Sequence, residues 1–144
     1  MGYTQLKMKL GGMSVSDDMS RLEAVLKLVG DDGWNLAVDA NCGLTRQGAF
    51  DYAKAMAPYN LRWYEEATDP LDYALLAELA DIYAPPLATG ENLFSTQDVE
   101  NLVRFGGMRT DHDVLQTDPP HSHGVVAVPR PTQMPHEHGW TQNG

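Results

Sequence analysis

Short apolar runs alternate with longer stretches of helical periodicity along the chain. Residues 3–10 set Leu6, Met8 and Leu10 against Gln5, Lys7 and Lys9. That period-two alternation predicts a strand, which Gly11-Gly12 stops. Residues 16–30 predict a helix, with Ser16 as cap, Asp17 and Asp18 in the positive first turn, and Gly30 at the end. A second strand is expected at 34–41 and a second helix at 45–60, with Phe50, Ala53, Met56 and Ala57 on one face. Residues 61–66 predict a third strand. The following helix, 69–84, has Asp69 as cap, Pro70 at its first position, and a stripe of Leu71, Leu75, Leu79 and Ile82. A short fourth strand at 86–91 leads to a helix at 95–107 capped by Ser95, and a fifth strand is expected at 113–118.

Regular alternation of β and α implies parallel strands joined by right-handed crossovers. Two architectures fit: an open doubly wound sheet, or part of a (β/α)8 barrel. The glycines after the first strand are not spaced as a dinucleotide-binding loop, which weakens a nucleotide-binding reading. After Asp118 the texture changes. Pro119, Pro120, Pro129, Pro131 and Pro135 lie too close together for a helix, so residues 119–144 read as an irregular tail behind a domain at 1–118.

The strand ends carry the chemistry. In a parallel barrel every C-terminal strand end lies on one rim, and that rim holds the active site. The predicted strands close on Lys7 and Lys9, on Asp39 and Asn41, on Glu65 and Glu66, on Glu91 and Asn92, and on Asp118. Asp39, Glu65 and Glu91 are spaced 26 residues apart, one βα unit each. Neighbouring strands lie about 4.8 Å apart, so three such carboxylates crowd together unless a cation sits between them. A hard divalent ion such as Mg²⁺ takes oxygen ligands of this kind. No Cys/His spacing of zinc type accompanies them. Asp39 and Glu91 stand several residues before the next helix and are poorly placed as caps. Lys7 and Lys9, two apart, project to the same side of their strand, where a Lys beside a cation or another Lys has a lowered pKa and serves as a base. Glu66 points to the other side, to support a loop or pair with a neighbour.

Composition narrows the partners. The 144 residues suffice for one domain with a core, and the net charge of −10 argues against nucleic acid or an anionic membrane surface. No apolar run approaches a membrane span, and residues 1–12 lack a signal-peptide core. One cysteine, Cys42, excludes an internal disulfide and suits a reducing compartment, so a cytoplasmic location is expected. Cys42 has no identifiable base and reads as a small rim residue. Trp63 and Tyr64 read as barrel-layer and outer packing. The pairs His121/His123 and His136/His138 lack a third ligand at fixed geometry and read as tail residues.

Together "KMK" (Lys7, Lys9), "VDAN" (Asp39, Asn41), "WYEEA" (Glu65), "ATGENLFS" (Glu91) and "LQTD" (Asp118) resemble the enolase superfamily, in its mandelate racemase and muconate-lactonising branch. The longer strings "EEATDPLDYALLAELA" and "RFGGMRTDHDVLQ" are most similar to its D-tartrate dehydratase group. The likeness covers residues 3–118 and returns at His138-Gly139-Trp140. Five motifs keep their order and approximate spacing, which makes it specific.

The resemblance implies an incomplete (β/α)8 barrel of about five parallel βα units. It implies that Asp39, Glu65 and Glu91 bind Mg²⁺, and that Lys9 with Lys7 supplies the base and meets the substrate carboxylate. Asn41 and Asn92 would touch substrate or metal-bound water, and Asp118 would orient a histidine from the next strand. The implied reaction is abstraction of the proton α to a carboxylate and loss of the β-hydroxyl, on a hydroxy-dicarboxylate or acid sugar such as D-tartrate. A racemase or cycloisomerase shares the same motifs. A full-length relative is expected to be a homo-oligomer. The family's partner histidine, its capping domain and its other barrel strands have no counterpart in the sequence. The chain therefore reads as an internal fragment expected to be inactive, with a non-catalytic remnant as the alternative, and its open sheet edges and exposed apolar faces should make it associate.

Overall fold

Five strands form one sheet: β1 (Leu6–Lys9), β2 (Leu36–Asp39), β3 (Trp63–Glu65), β4 (Leu87–Thr89) and β5 (Val114–Leu115). Four helices connect them: α1 (Val15–Leu26), α2 (Arg46–Met56), α3 (Tyr73–Ile82) and α4 (Thr96–Phe105). The structure is a computed structural model describing residues 2–116 and Trp140. Asp118 and the expected tail apart from Trp140, its histidines included, lie outside the described residues.

The strand order is β1-β2-β3-β4-β5 and every adjacent pair is parallel. This order decides between the two architectures. A doubly wound sheet reverses direction at a switch point, whereas here each strand is added beside the last. Consecutive right-handed crossovers then leave all the helices on one face, and each helix packs against the next. That is the layout of a partial TIM-type barrel.

The register sorts the side chains into two sets. Met8, Val38, Tyr64 and Leu87 align across β1–β4. All four are buried in the core with Leu22, Met56, Leu79 and Leu102 of the helices. Burial of each such side chain contributes roughly 1.5–3 kcal/mol. Tyr64 packs edge-on against Tyr83, ring centroids 5.7 Å apart. The next register row is Lys9, Asp39, Glu65, Ala88 and Val114. Because successive residues of a strand face opposite ways, this row lies on the face away from the helices. Trp140 joins the core, so the chain beyond the expected tail boundary returns to it.

Several local expectations are corrected. Ser14, not Ser16, caps α1; its hydroxyl accepts from the Asp17 amide, so the helix starts two residues earlier. Asp72, not Asp69, caps α3. Asp69 instead closes the preceding turn, accepting from the Leu71 amide. The shift moves Leu71 off the helix and leaves it exposed. Ile82 is exposed too, at the last turn, and Leu76 and Ala80 fill the buried stripe with Leu75 and Leu79. On α2 the buried face is Ala49, Tyr52, Ala53 and Met56; Phe50 is half-buried beneath Arg46, and Ala57 is exposed.

Candidate functional site

β1 ends in two lysines that reach across two strands. Lys9 Nζ lies 2.6 Å from Asp39 Oδ2 and 2.7 Å from Asn41 Oδ1. Lys7 Nζ lies 2.6 Å from Glu65 Oε1 and 3.2 Å from Asp39 Oδ2. Asp39 and Glu65 are completely buried, whereas both lysine side chains keep substantial exposure. The cluster is therefore a pair of sunken carboxylates covered by two ammonium groups. The Asn41 amide and Trp63 Nε1 supply further donors, to Asp39 Oδ1 at 2.9 Å and Glu65 Oε2 at 2.8 Å. Trp63 thus does more than fill a barrel layer: it fixes one oxygen of Glu65.

These contacts set the electrostatics. Burial alone would raise the Asp39 pKa. Hydrogen bonds from Lys9, the Asn41 amide and Lys7 outweigh it and hold the carboxyl below its usual range. Burial alone would lower the Lys7 pKa, but the hydrogen bonds and attraction of Glu65 and Asp39 outweigh it and raise the group above its usual value. The direction for Lys7 is the reverse of the expected one, because the charges it meets are the Glu65 and Asp39 carboxylates. Glu91, half-buried, is pushed upward by burial and then by repulsion from Glu65, Glu66 and Asp39, with Lys7 opposing. Glu91 therefore shares the field of the other acids. Among the described residues no three His, Cys, Asp or Glu side chains are drawn into a metal-ligand arrangement; Lys7 bridges Asp39 and Glu65, and Lys9 meets Asp39.

A second carboxylate centre stands beside the first. Glu66 is 1% exposed, and its carboxylate accepts from Thr89 Oγ1 at 2.8 Å, the Gly90 amide at 2.9 Å, Asn92 Nδ2 at 3.1 Å and the Cys42 thiol. The loop-supporting part expected for Glu66 is what these bonds perform, though the number of donors has no signal in the sequence. Asn41 and Asn92 consequently have different partners: Asn41 meets Lys9, and Asn92 meets Glu66 and the Cys42 sulfur. Burial, then the bond to Glu66, pushes the Cys42 thiol up to about 12, so it is a hydrogen-bond donor and not a thiolate nucleophile.

The backbone at this rim is unusual. Asn41, Cys42 and Glu66 have φ of +51°, +58° and +46°. Left-handed conformations cost non-glycine residues about a kcal/mol or more and cluster at functional sites. Asp118, expected on the same rim, lies outside the described residues.

Parallel βα units added in unbroken order, with lysines and carboxylates gathered at the strand C-termini, define a barrel segment of the kind that carries an active site on that rim. The model of the family described as enolase C-terminal domain-like matches residues 1–142, and the chain belongs to that family. It is 37% identical over 107 residues to the 3,6-anhydro-alpha-L-galactonate cycloisomerase of Streptomyces coelicolor, covering 74% of this chain and 29% of that one. It is 33% identical over 138 residues to the L-talarate/galactarate dehydratase of Salmonella typhimurium, covering 96% of this chain and 33% of that one. Its fold matches the L-talarate dehydratase from Polaromonas sp. JS666, complexed with Mg and L-glucarate, with TM-score 0.85 and 31% identity, covering 97% of this chain and 38% of that one. The chain spans about a third of the length of these relatives. Among the described residues no helix is long and apolar enough to cross a membrane.

Proposed function

We propose that the rim cluster belongs to a Mg²⁺-dependent site for α-proton abstraction from a carboxylate substrate. The whole protein would be a dehydratase of a hydroxy-dicarboxylate or acid sugar, with D-tartrate the first candidate. The observation that carries this reading is the register row in which Lys9, Asp39 and Glu65 stand side by side on adjacent strands. The Salmonella and Polaromonas dehydratases, and the Mg in the latter's complex, support it.

The donor set suits a hard cation. Asp39, Glu65 and Glu91 offer anionic oxygens, and the repulsion felt by Glu91 is the kind a divalent ion relieves. These three residues would hold the ion. The Lys7 and Lys9 ammoniums sit on oxygens the ion would use, and both side chains are long and exposed enough to swing aside. Bound Mg²⁺ would act as a Lewis acid toward a substrate carboxylate. Lys9 Nζ, with Lys7 beside it, would take the proton from the α-carbon on one face. Asn41 would orient Lys9, and Asn92 would meet substrate from the neighbouring loop. Asp118 would orient a histidine serving the opposite face.

A cycloisomerase or racemase is the second reading, favoured by the Streptomyces relative. It begins with the same proton abstraction and differs only in the fate of the resulting intermediate. The test is proton NMR of D-tartrate and galactarate in D₂O with the protein and Mg²⁺. Loss of water supports the dehydratase; α-exchange without water loss supports proton abstraction by Lys9 with no acid to assist the leaving hydroxyl. Neither exchange nor Mg²⁺ binding would overturn both.

A further inference from the structure

Glu66 buries a carboxylate at a place where the proposed chemistry does not use it. A buried carboxylate persists only when its oxygens are hydrogen-bonded. Here Oε1 accepts from Thr89 Oγ1 and the Gly90 amide, and Oε2 from the Cys42 thiol and Asn92 Nδ2. The donors come from the loop after β2, from the last residue of β4 and from the loop that follows it, while Glu66 itself follows β3. Its backbone joins the same network: its carbonyl accepts from the Cys42 amide at 2.7 Å, and its amide donates to Ala88 O at 2.9 Å.

We propose that Glu66 is a positioning residue that ties these three strand ends together and so sets the spacing of Asp39, Glu65 and Glu91. Each of those acids lies within three residues of a group bonded to Glu66: Asp39 before Cys42, Glu65 beside Glu66, and Glu91 between Gly90 and Asn92. With both oxygens occupied by protein donors, Glu66 has little capacity left for a ligand, which separates its task from that of Glu65. The network also holds the left-handed backbone of Cys42, Glu66 and Gly90. Gly90 has φ of +116°, and a Cβ there would stand 2.4 Å from Gln116 O, so the amide that meets Glu66 is available only from glycine. Outer partners of this kind typically change metal affinity 10–100-fold when removed.

The assignment of ligands rests on the function proposed above; the tie between the loops does not. The experiment uses the whole chain with three variants, Glu66→Gln, Thr89→Val and Thr89→Ser. Amide exchange by NMR reads the loops, and calorimetry with MgCl₂ reads the site. The expected result for Glu66→Gln is at least about tenfold faster exchange at the Gly90 amide, unchanged exchange within α1, and Mg²⁺ affinity lowered roughly 10–100-fold. Thr89→Val should move both readouts in the same direction by less, and Thr89→Ser, which keeps the hydroxyl, should restore them. Unchanged Gly90 exchange in Glu66→Gln would overturn the proposal. So would faster exchange with unchanged Mg²⁺ affinity, because the tie would then not set the ligand spacing. If the unsubstituted chain bound no Mg²⁺, the proposed function would fall, and the exchange readout alone would decide whether Glu66 ties the loops.

Discussion

Lys9 Nζ and Asp39 Oδ2 stand 2.6 Å apart, and the two residues are register partners on adjacent strands. The ammonium therefore sits on an oxygen that the proposed Mg²⁺ would claim. Removing it should help the ion. Lys9→Met is expected to bind Mg²⁺ roughly 3–10-fold more tightly, since a partly exposed charge pair is worth on the order of 1 kcal/mol. Calorimetric titration reads this directly. Weaker binding in Lys9→Met would mean that Lys9 supports the ion rather than competing with it.

Asp18 predicts a pH dependence. Its buried carboxylate accepts from the Gly11 amide at 2.8 Å, from Tyr52 Oη at 2.7 Å and from Arg21. Burial works against the charge, but these bonds outweigh it and hold the pKa below the usual value. A depressed folded-state pKa contributes stability that is present above the unfolded value, about 3.9, and is lost as pH falls through the folded value. Asp18→Asn should be less stable at neutral pH by about 1–3 kcal/mol. The gap to the unsubstituted protein should shrink as pH drops below about 4. Urea unfolding between pH 3 and 7 measures both, and parallel stability curves would count against this assignment.

Arg109 and Asp113 make the corresponding clamp at the other end of the strands. Arg109 Nη2 lies 2.6 Å from Asp113 Oδ1 and 3.0 Å from Pro85 O, and its Nη1 donates to the carbonyls of Tyr83 and Ala84. Asp113 also accepts from the Leu87 amide at 2.8 Å, so the pair secures the turn that leads into β4. Arg109→Met leaves a buried carboxylate without its cation. The expected loss is about 3–5 kcal/mol in chemical denaturation. A loss below about 1 kcal/mol would show the pair to be dispensable.

The order of elements was legible because apolar periodicity switches cleanly between two and 3.6 residues along this chain, and Ser95 marks one helix start where the structure has it. Competing caps defeated the pattern elsewhere: Ser14 and Ser16, or Asp69 and Asp72, carry equally good acceptor oxygens, and only tertiary packing chooses between them. Even spacing pointed to Asp39 and Glu65, which share one register row, but Ala88 and not Glu91 continues that row, and Glu91 stands two residues past the end of β4. What the spacing could not show is the lysines lying across Asp39 and Glu65, which depends on side-chain reach between strands. Nor could it show Asp18, Glu66 or the Arg109–Asp113 pair. Many of their partners are backbone amides and carbonyls, which every residue carries and no motif records.

The proposed chemistry requires that the carboxylates of this rim hold a divalent ion. Calorimetric titration of the chain and of Glu65→Gln with MgCl₂ tests it most directly. Saturable binding at one site is expected, weakened at least about 100-fold in Glu65→Gln, given that residues outside the ligand set already cost roughly 10–100-fold. Equal affinity in the two proteins would contradict it.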